Sequence, residues 1–134
     1  MAPKLLLDTH VVVRWLADPR KLSRNQARIL ATVVRRAEPV ALSAITLIEI
    51  AVLTADGRLR LKSPMDELLA DLQANPVFRV LPLSYEVASE VALLGGVLRD
   101  PADRAIVATA RVHRLRLITS DQRIVESKLV PVVE

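Results

Sequence analysis

Leu5-Leu6-Leu7-Asp8-Thr9-His10-Val11-Val12-Val13 is the stretch on which the fold turns. Three consecutive leucines followed at once by an aspartate read as a short buried strand that opens into a helix. The runs Val40 to Leu42, Phe78 to Leu81, Leu115 to Ile118 and Leu129 to Val133 have the same character and are predicted as further strands. Between them lie segments of helical spacing: Thr9 to Leu16, Ser23 to Arg36, Ala44 to Thr54, Pro64 to Gln73, Tyr85 to Leu94 and Pro101 to His113. Strands that alternate with helices predict parallel crossovers, and so one α/β domain over residues 1–134. In such a sheet, ligands gather beyond the carboxyl ends of the strands, near the point where strand order reverses.

Helix boundaries carry their own chemistry. Ser63-Pro64-Met65-Asp66 and Asp100-Pro101-Ala102-Asp103 each offer a capping side chain, a first-turn proline and a carboxylate at the third helical position. Gly57 and the pair Gly95-Gly96 stand where the third and fifth helices should end.

Composition removes several function classes. With 134 residues, 51% of them hydrophobic and 25% charged, the chain can bury roughly two thirds of its unfolded surface. Its three glycines cannot spell a glycine-rich phosphate loop. No cysteine is present and only two histidines, which removes disulfides, thiolate metal sites and cysteine nucleophiles and leaves oxygen ligands for any metal. Three aromatic residues, Trp15, Phe78 and Tyr85, are too few for a base-stacking platform. The net charge of +4 favours a polyanion held by its backbone, and arginine, which outnumbers lysine, matches phosphate oxygens in pairs. No apolar run reaches the ~20 residues of a membrane span and no secretory leader is recognisable, so a cytoplasmic location is expected.

Four acids stand in unexpected company. Asp8 ends the leucine strand, Glu49 is the lone ionisable group between Val40 and Ala55, Asp103 opens the helix that continues Ile106-Val107-Ala108, and Asp121 follows Leu117-Ile118-Thr119-Ser120. Each has an ordinary reading: a cap for Asp8 and Asp121, a dipole partner for Asp103, an arginine partner for Glu49. Asp100, directly before Pro101, is a cap first and a ligand second. A buried carboxylate without a partner costs several kcal/mol, and one hard divalent cation, Mg²⁺ or Mn²⁺, answers for all four together. Such an ion activates water and neutralises charge on a phosphoryl oxygen. Thr9, Thr119 and Ser120 flank the set as candidates to orient a carboxylate or water. His10 reads as a hydrogen-bonded structural residue, and His113 as a helix-end partner of the dipole.

The order Leu-Leu-Leu-Asp8-Thr9-His10, Ile45 to Ile50 around Glu49, Arg99-Asp100-Pro101-Ala102-Asp103-Arg104 and Ile118-Thr119-Ser120-Asp121 resembles the PIN-domain nucleases, and among them the VapC-type toxins of bacterial toxin–antitoxin pairs. The resemblance implies a three-layer α/β/α sandwich with a central parallel sheet. It implies a Mg²⁺- or Mn²⁺-dependent endoribonuclease acting on tRNA, rRNA or mRNA, dimeric, and restrained by a VapB-type antitoxin whose tail enters a groove near the active site. Asp8, Glu49 and Asp103 match the acidic core and Asp121 the more variable fourth acid. The chain departs from the pattern at His10, where asparagine is common, and at Ala102, where an aromatic is common.

From these readings Arg14, Arg20, Arg24, Arg99 and Arg104 are candidates to position an RNA backbone. Trp15, Leu16, Ile29 and Leu30 are candidates for the antitoxin groove, and the positive mean hydropathy of +0.32 suggests a homodimer. A DNA-directed nuclease and a weakly active binding module on the same fold are the alternatives. A receiver domain or a haloacid-dehalogenase-type phosphatase would need acids that this chain lacks after its first and third strands.

Overall fold

A computed structural model describes residues Met1–Glu134. Five strands, β1 (Leu5–Leu7), β2 (Val40–Ser43), β3 (Phe78–Leu81), β4 (Arg116–Ile118) and β5 (Val132–Val133), form one sheet in the order β3-β2-β1-β4-β5. Every neighbouring pair is parallel. The order grows from β1 to one side and then from β4 to the other, so the reversal lies between β1 and β4.

Alternation along the strands feeds two cores. Leu5 and Leu7 belong with Val11, Val12, Leu30, Val33 and Ile50 on one face, while Leu6 joins Ile106, Val107, Leu117 and Ile124 on the other. The first face is covered by α1 (Thr9–Ala17), α2 (Arg24–Arg35), α3 (Ala44–Ala55) and α4 (Met65–Ala74). The second is covered by α5 (Tyr85–Leu93), α6 (Pro101–His113) and α7 (Gln122–Ser127). The result is the three-layer α/β/α sandwich around a parallel sheet. Each fully buried leucine stabilises it by about 2–3 kcal/mol.

The helix ends follow the sequence in most places. Ser23 and Gln26 form a reciprocal capping box, Asp100 accepts from the N–H groups of Ala102 and Asp103, and Gly57 and Gly95 adopt φ of +70° and +72° after α3 and α5. Three expectations are corrected. Ser63 caps nothing, because Pro64 occupies the N-cap position of α4 without a side-chain bond. The apolar run Leu129 to Val133 is a strand only at its last residues, since Lys128 turns left-handed to end α7 and the chain needs Leu129–Pro131 to return to the sheet. The helix α7 itself is an addition to the elements expected: six residues are too few to show a helical period. A short 3-10 helix, Pro19–Lys21, follows α1. No helix is long and apolar enough to cross a membrane.

Candidate active site

The switch between β1 and β4 places Asp8 and Thr119 side by side, each one residue beyond its strand. Asp8 is the N-cap of α1, with Oδ1 accepting from the Thr9 N–H at 2.8 Å. Its Oδ2 accepts from the Thr119 hydroxyl at 2.6 Å. Thr119 Oγ1 also accepts the Asp121 N–H at 3.0 Å, so one buried hydroxyl links two of the four acids. Capping thus engages one oxygen of Asp8 and leaves the other to the strand-end cluster.

Glu49 reaches the same region from α3. The Thr9 hydroxyl donates to Glu49 Oε1 at 2.5 Å and lies 3.0 Å from the Thr46 hydroxyl. With its proton engaged by Glu49, Thr9 must accept from Thr46, which orders the relay Thr46 to Thr9 to Glu49. Asp103 enters from the first turn of α6, and Asp121 from the N-cap of α7.

Asp8, Thr9, His10, Glu49, Asp103 and Asp121 all line one open cavity of about 440 Å³. Arg14 and Lys21 supply its basic lining. A smaller apolar hollow of about 80 Å³ adjoins it through Val13, Ala17 and Leu59.

Electrostatics mark the cavity as a place short of positive charge. Burial pushes the Asp103 carboxyl up to about 6, reinforced by the carboxylates of Asp100, Asp8 and Asp121 and opposed by Arg123. Burial likewise raises Glu49, with Asp8 and Asp100 adding to the effect and the Thr9 hydroxyl opposing it. Asp121 moves the other way because Arg123 hydrogen-bonds its carboxylate. Burial lowers the pKa of His10 against the attraction of Asp8. Its Nε2 accepts the Ser120 N–H at 2.9 Å, which places the remaining ring proton on Nδ1, 3.5 Å from Asp8 Oδ2. His10 is thus hydrogen-bonded through Nε2 and faces Asp8 with Nδ1, and it ties α1 to the loop that carries Asp121.

Two cations join the site that the sequence reading does not single out. The Arg123 guanidinium spans Asp121 at 2.9 Å and Asp103 at 3.4 Å. A signal for it exists in the chain, since Arg123 lies two residues after Asp121 at the start of a helix. Lys21 has no such signal, because only the turn at Pro19 brings it to the cavity.

The other candidates divide. Ser120 accepts from Gln26 Nε2 at 3.0 Å and so braces α2 rather than a carboxylate. Asp100 is exposed and caps α6, contributing to the site through its field. Arg14 faces the cavity; Arg20 is exposed and pairs with Asp18 at 3.3 Å; Arg24 and Arg99 are exposed outside it. Arg104 does not serve as a backbone clamp, because its guanidinium donates to the Val91 carbonyl at 3.0 Å and packs under α5. The residues chosen for a partner groove meet only in part: Trp15 and Leu30 line one cleft between α1 and α2, whereas Leu16 lies in the apolar hollow beside the acidic cavity and Ile29 near the opposite end of the sheet. Leu30 is fully buried in the core. The face of α3 that carries Glu49 is less buried than its composition suggests, with Ile48 and Val52 55% and 52% exposed.

The model of the PIN domain family matches residues 5–128. This chain belongs to the PIN-domain family. Ribonuclease VapC22 of Mycobacterium tuberculosis (strain ATCC 25618 / H37Rv) is 36% identical over 121 residues, covering 90% of this chain and 88% of that protein. Among solved structures, this PIN domain is similar to a chain of FitAcB from Neisseria gonorrhoeae, with a TM-score of 0.71, 28% identity and coverage of 97% and 96%. A chain of DNA-bound VapBC from Salmonella typhimurium shares the fold at a TM-score of 0.72 and 16% identity, covering 98% of each.

The donor set of this PIN domain fits a hard divalent cation. The acids and Thr9 that line the cavity offer carboxylate and hydroxyl oxygens, and burial, reinforced by neighbouring carboxylates, raises Asp103 and Glu49, a cost that a bound cation would relieve. No three acidic or imidazole groups stand close enough to form a ready chelate; Mg²⁺ needs only one or two direct carboxylates and keeps its waters.

Proposed function

We propose that this chain is an endoribonuclease toxin of the VapC type, hydrolysing RNA phosphodiesters at the cavity between β1 and β4. The observation that carries this reading is the convergence of Asp8, Glu49, Asp103 and Asp121, from four separate elements, on one open concavity at the switch point of a PIN fold. The likeness to Ribonuclease VapC22 supports RNA as the substrate.

Asp8, Glu49 and Asp103, with Asp121 assisting, would hold Mg²⁺ or Mn²⁺. When bound, that ion supplies a more acidic water and offsets charge on the scissile phosphate. The protein's own groups set the rest. The Thr119 and Thr9 hydroxyls fix one oxygen each of Asp8 and Glu49. His10, neutral and anchored to Ser120, keeps the Asp121 loop in register. Arg14 and Lys21 meet the RNA backbone at the cavity, which offsets the repulsion an acidic site would exert on phosphate. Arg123, 71% exposed, can leave its acids and turn to the same backbone.

The likeness to FitAcB and VapBC complexes supports a VapB-type antitoxin as partner. For its seat we propose the cleft between α1 and α2 lined by Trp15 and Leu30. The exposed Ile48 and Val52 of α3 are the face proposed for homodimerisation. The experiment that tests the activity is hydrolysis of total RNA with Mn²⁺ by the wild type and by Asp8→Asn. Cutting by the first alone is expected; equal cutting by both would overturn the assignment.

A further inference from the structure

The acids occupy one end of the sheet, and at the opposite end the charge is reversed. Lys4, Arg28, Arg36 and Arg116 line a hollow of about 350 Å³ in which Glu38 is the sole carboxylate. None of the four cations takes part in an ion pair anywhere in the chain. Arg28 is steadied by one bond to Asn25 Oδ1 at 2.6 Å, which leaves most of its fork unused.

Ordinary reasons account for only part of this cluster. Arg36 ends α2 and complements the negative end of that helix. Lys4 and Arg116 have no such reason. Arg116 pairs in register with Leu5 and its N–H donates to the Lys4 carbonyl at 3.1 Å, so the starts of two neighbouring parallel strands bring both cations to the lining of one hollow.

One helix runs from the region of the acidic cavity to the hollow. The helix α2 begins near the catalytic end, where Gln26 holds Ser120, and finishes at Arg36 beside the hollow. Its length of roughly 18 Å carries Arg24, Arg28 and Arg35 at near-helical spacing on the exposed side. Along β1, Lys4 and Asp8 are about 13 Å apart. An RNA held at both ends at once must lay its backbone along the exposed side of α2, and a folded stem presents its phosphates already ordered where a single strand would lose freedom on binding.

We infer that the hollow formed by Lys4, Arg28, Arg36 and Arg116 is a second phosphate-binding site, which holds the backbone of a structured RNA remote from the bond that is cut. This rests on the ribonuclease reading for its substrate but not for its test. The ligand is recognised by charge and by the fork geometry of arginine, so it selects RNA shape rather than base sequence.

The test is equilibrium binding, by fluorescence anisotropy in chelator, of a labelled RNA hairpin with a long stem and of a short single strand carrying only the loop. Wild type is compared with the quadruple variant Lys4→Gln, Arg28→Gln, Arg36→Gln, Arg116→Gln; the pair Lys4→Gln, Arg28→Gln serves if the quadruple variant does not fold. Hairpin affinity should fall about 10- to 100-fold, with the salt dependence flattening by roughly 0.7–0.9 for each phosphate no longer neutralised, while the short strand binds as before. Unchanged hairpin affinity and slope would overturn the inference even if RNA is cut at the acidic cavity. Equal loss for duplex DNA of the same sequence would overturn RNA as the ligand. A protein that cuts no RNA yet shows the stem-specific loss would keep the hollow and remove the nuclease reading.

Discussion

Thr119 and Asp8, 111 residues apart in the chain, share a buried hydrogen bond of 2.6 Å. The same Thr119 oxygen accepts the Asp121 N–H, so a single hydroxyl sets the position of two carboxylates from neighbouring strands. Groups that orient metal ligands in this way typically change affinity or activity by about 10- to 100-fold when removed. Thr119→Val should lower Mn²⁺ affinity and RNA cutting by that amount, and Thr119→Ser should restore most of both. Calorimetric titration with Mn²⁺ beside a cleavage assay checks it; a valine variant that binds and cuts normally would show the hydroxyl to be structural only.

Asp8→Asn should abolish cutting and leave the fold standing. The amide oxygen can still accept from one neighbour, and its NH₂ can donate to the Thr119 oxygen, so the expected loss of stability is about 1 kcal/mol. Urea unfolding of the variant beside the wild type measures it. A variant that no longer folds cooperatively would mean that Asp8 acts through the α1 cap rather than through the cavity.

The raised carboxyls give the metal-free protein a defined pH dependence. Asp103 titrates at about 6 when folded, above its ordinary value, so the folded state binds a proton more readily than the unfolded chain. Its contribution to stability is therefore fully present below the unfolded pKa and is lost as pH rises through 6, with Glu49 acting in the same direction. Thermal unfolding in chelator should show stability falling by this contribution from about pH 4, near the ordinary aspartate value, through about 6, and Mn²⁺ should reverse the loss at neutral pH. Carbon-detected NMR should find the Asp103 midpoint near 6 and lower in Asp8→Asn; a midpoint at the ordinary aspartate value would show that neither burial nor its neighbouring carboxylates disfavour its charge.

Arg123 partly neutralises Asp103 and Asp121. Arg123→Gln should raise the titration of both acids and tighten Mn²⁺ binding, because repulsion in the free protein grows when the guanidinium leaves. RNA affinity should weaken at the same time. Weaker Mn²⁺ binding in this variant would show that Arg123 shapes the site rather than competes for it.

The exposed pair Ile48 and Val52 is spaced to form one patch on α3. Val52→Asp should yield a monomer by light scattering if this face joins two copies. A dimer that persists unchanged would place the interface elsewhere.

The leucine run and its alternation, the strand–helix order and the four acids are all legible in the chain alone. A carboxylate directly after an apolar strand is costly unless it has a partner or a ligand, and that penalty is visible in one dimension. The short helix α7 is not legible, since six residues carry too little periodicity, and Ser63 misleads because Pro64 takes the position it is expected to fill.

What the sequence by itself determined was the parallel α/β architecture and the identity of the acids, because local hydrophobic pattern and the cost of burying charge act residue by residue. Only the tertiary structure decided which side chains meet. Helix rotation sent Leu30 into the core and Arg104 to the Val91 carbonyl, and packing of α7 against the sheet brought Arg123 onto two acids. Encounters between distant segments depend on the angle and depth at which each element seats against its neighbours, and that is set by the whole core rather than by any one stretch of chain.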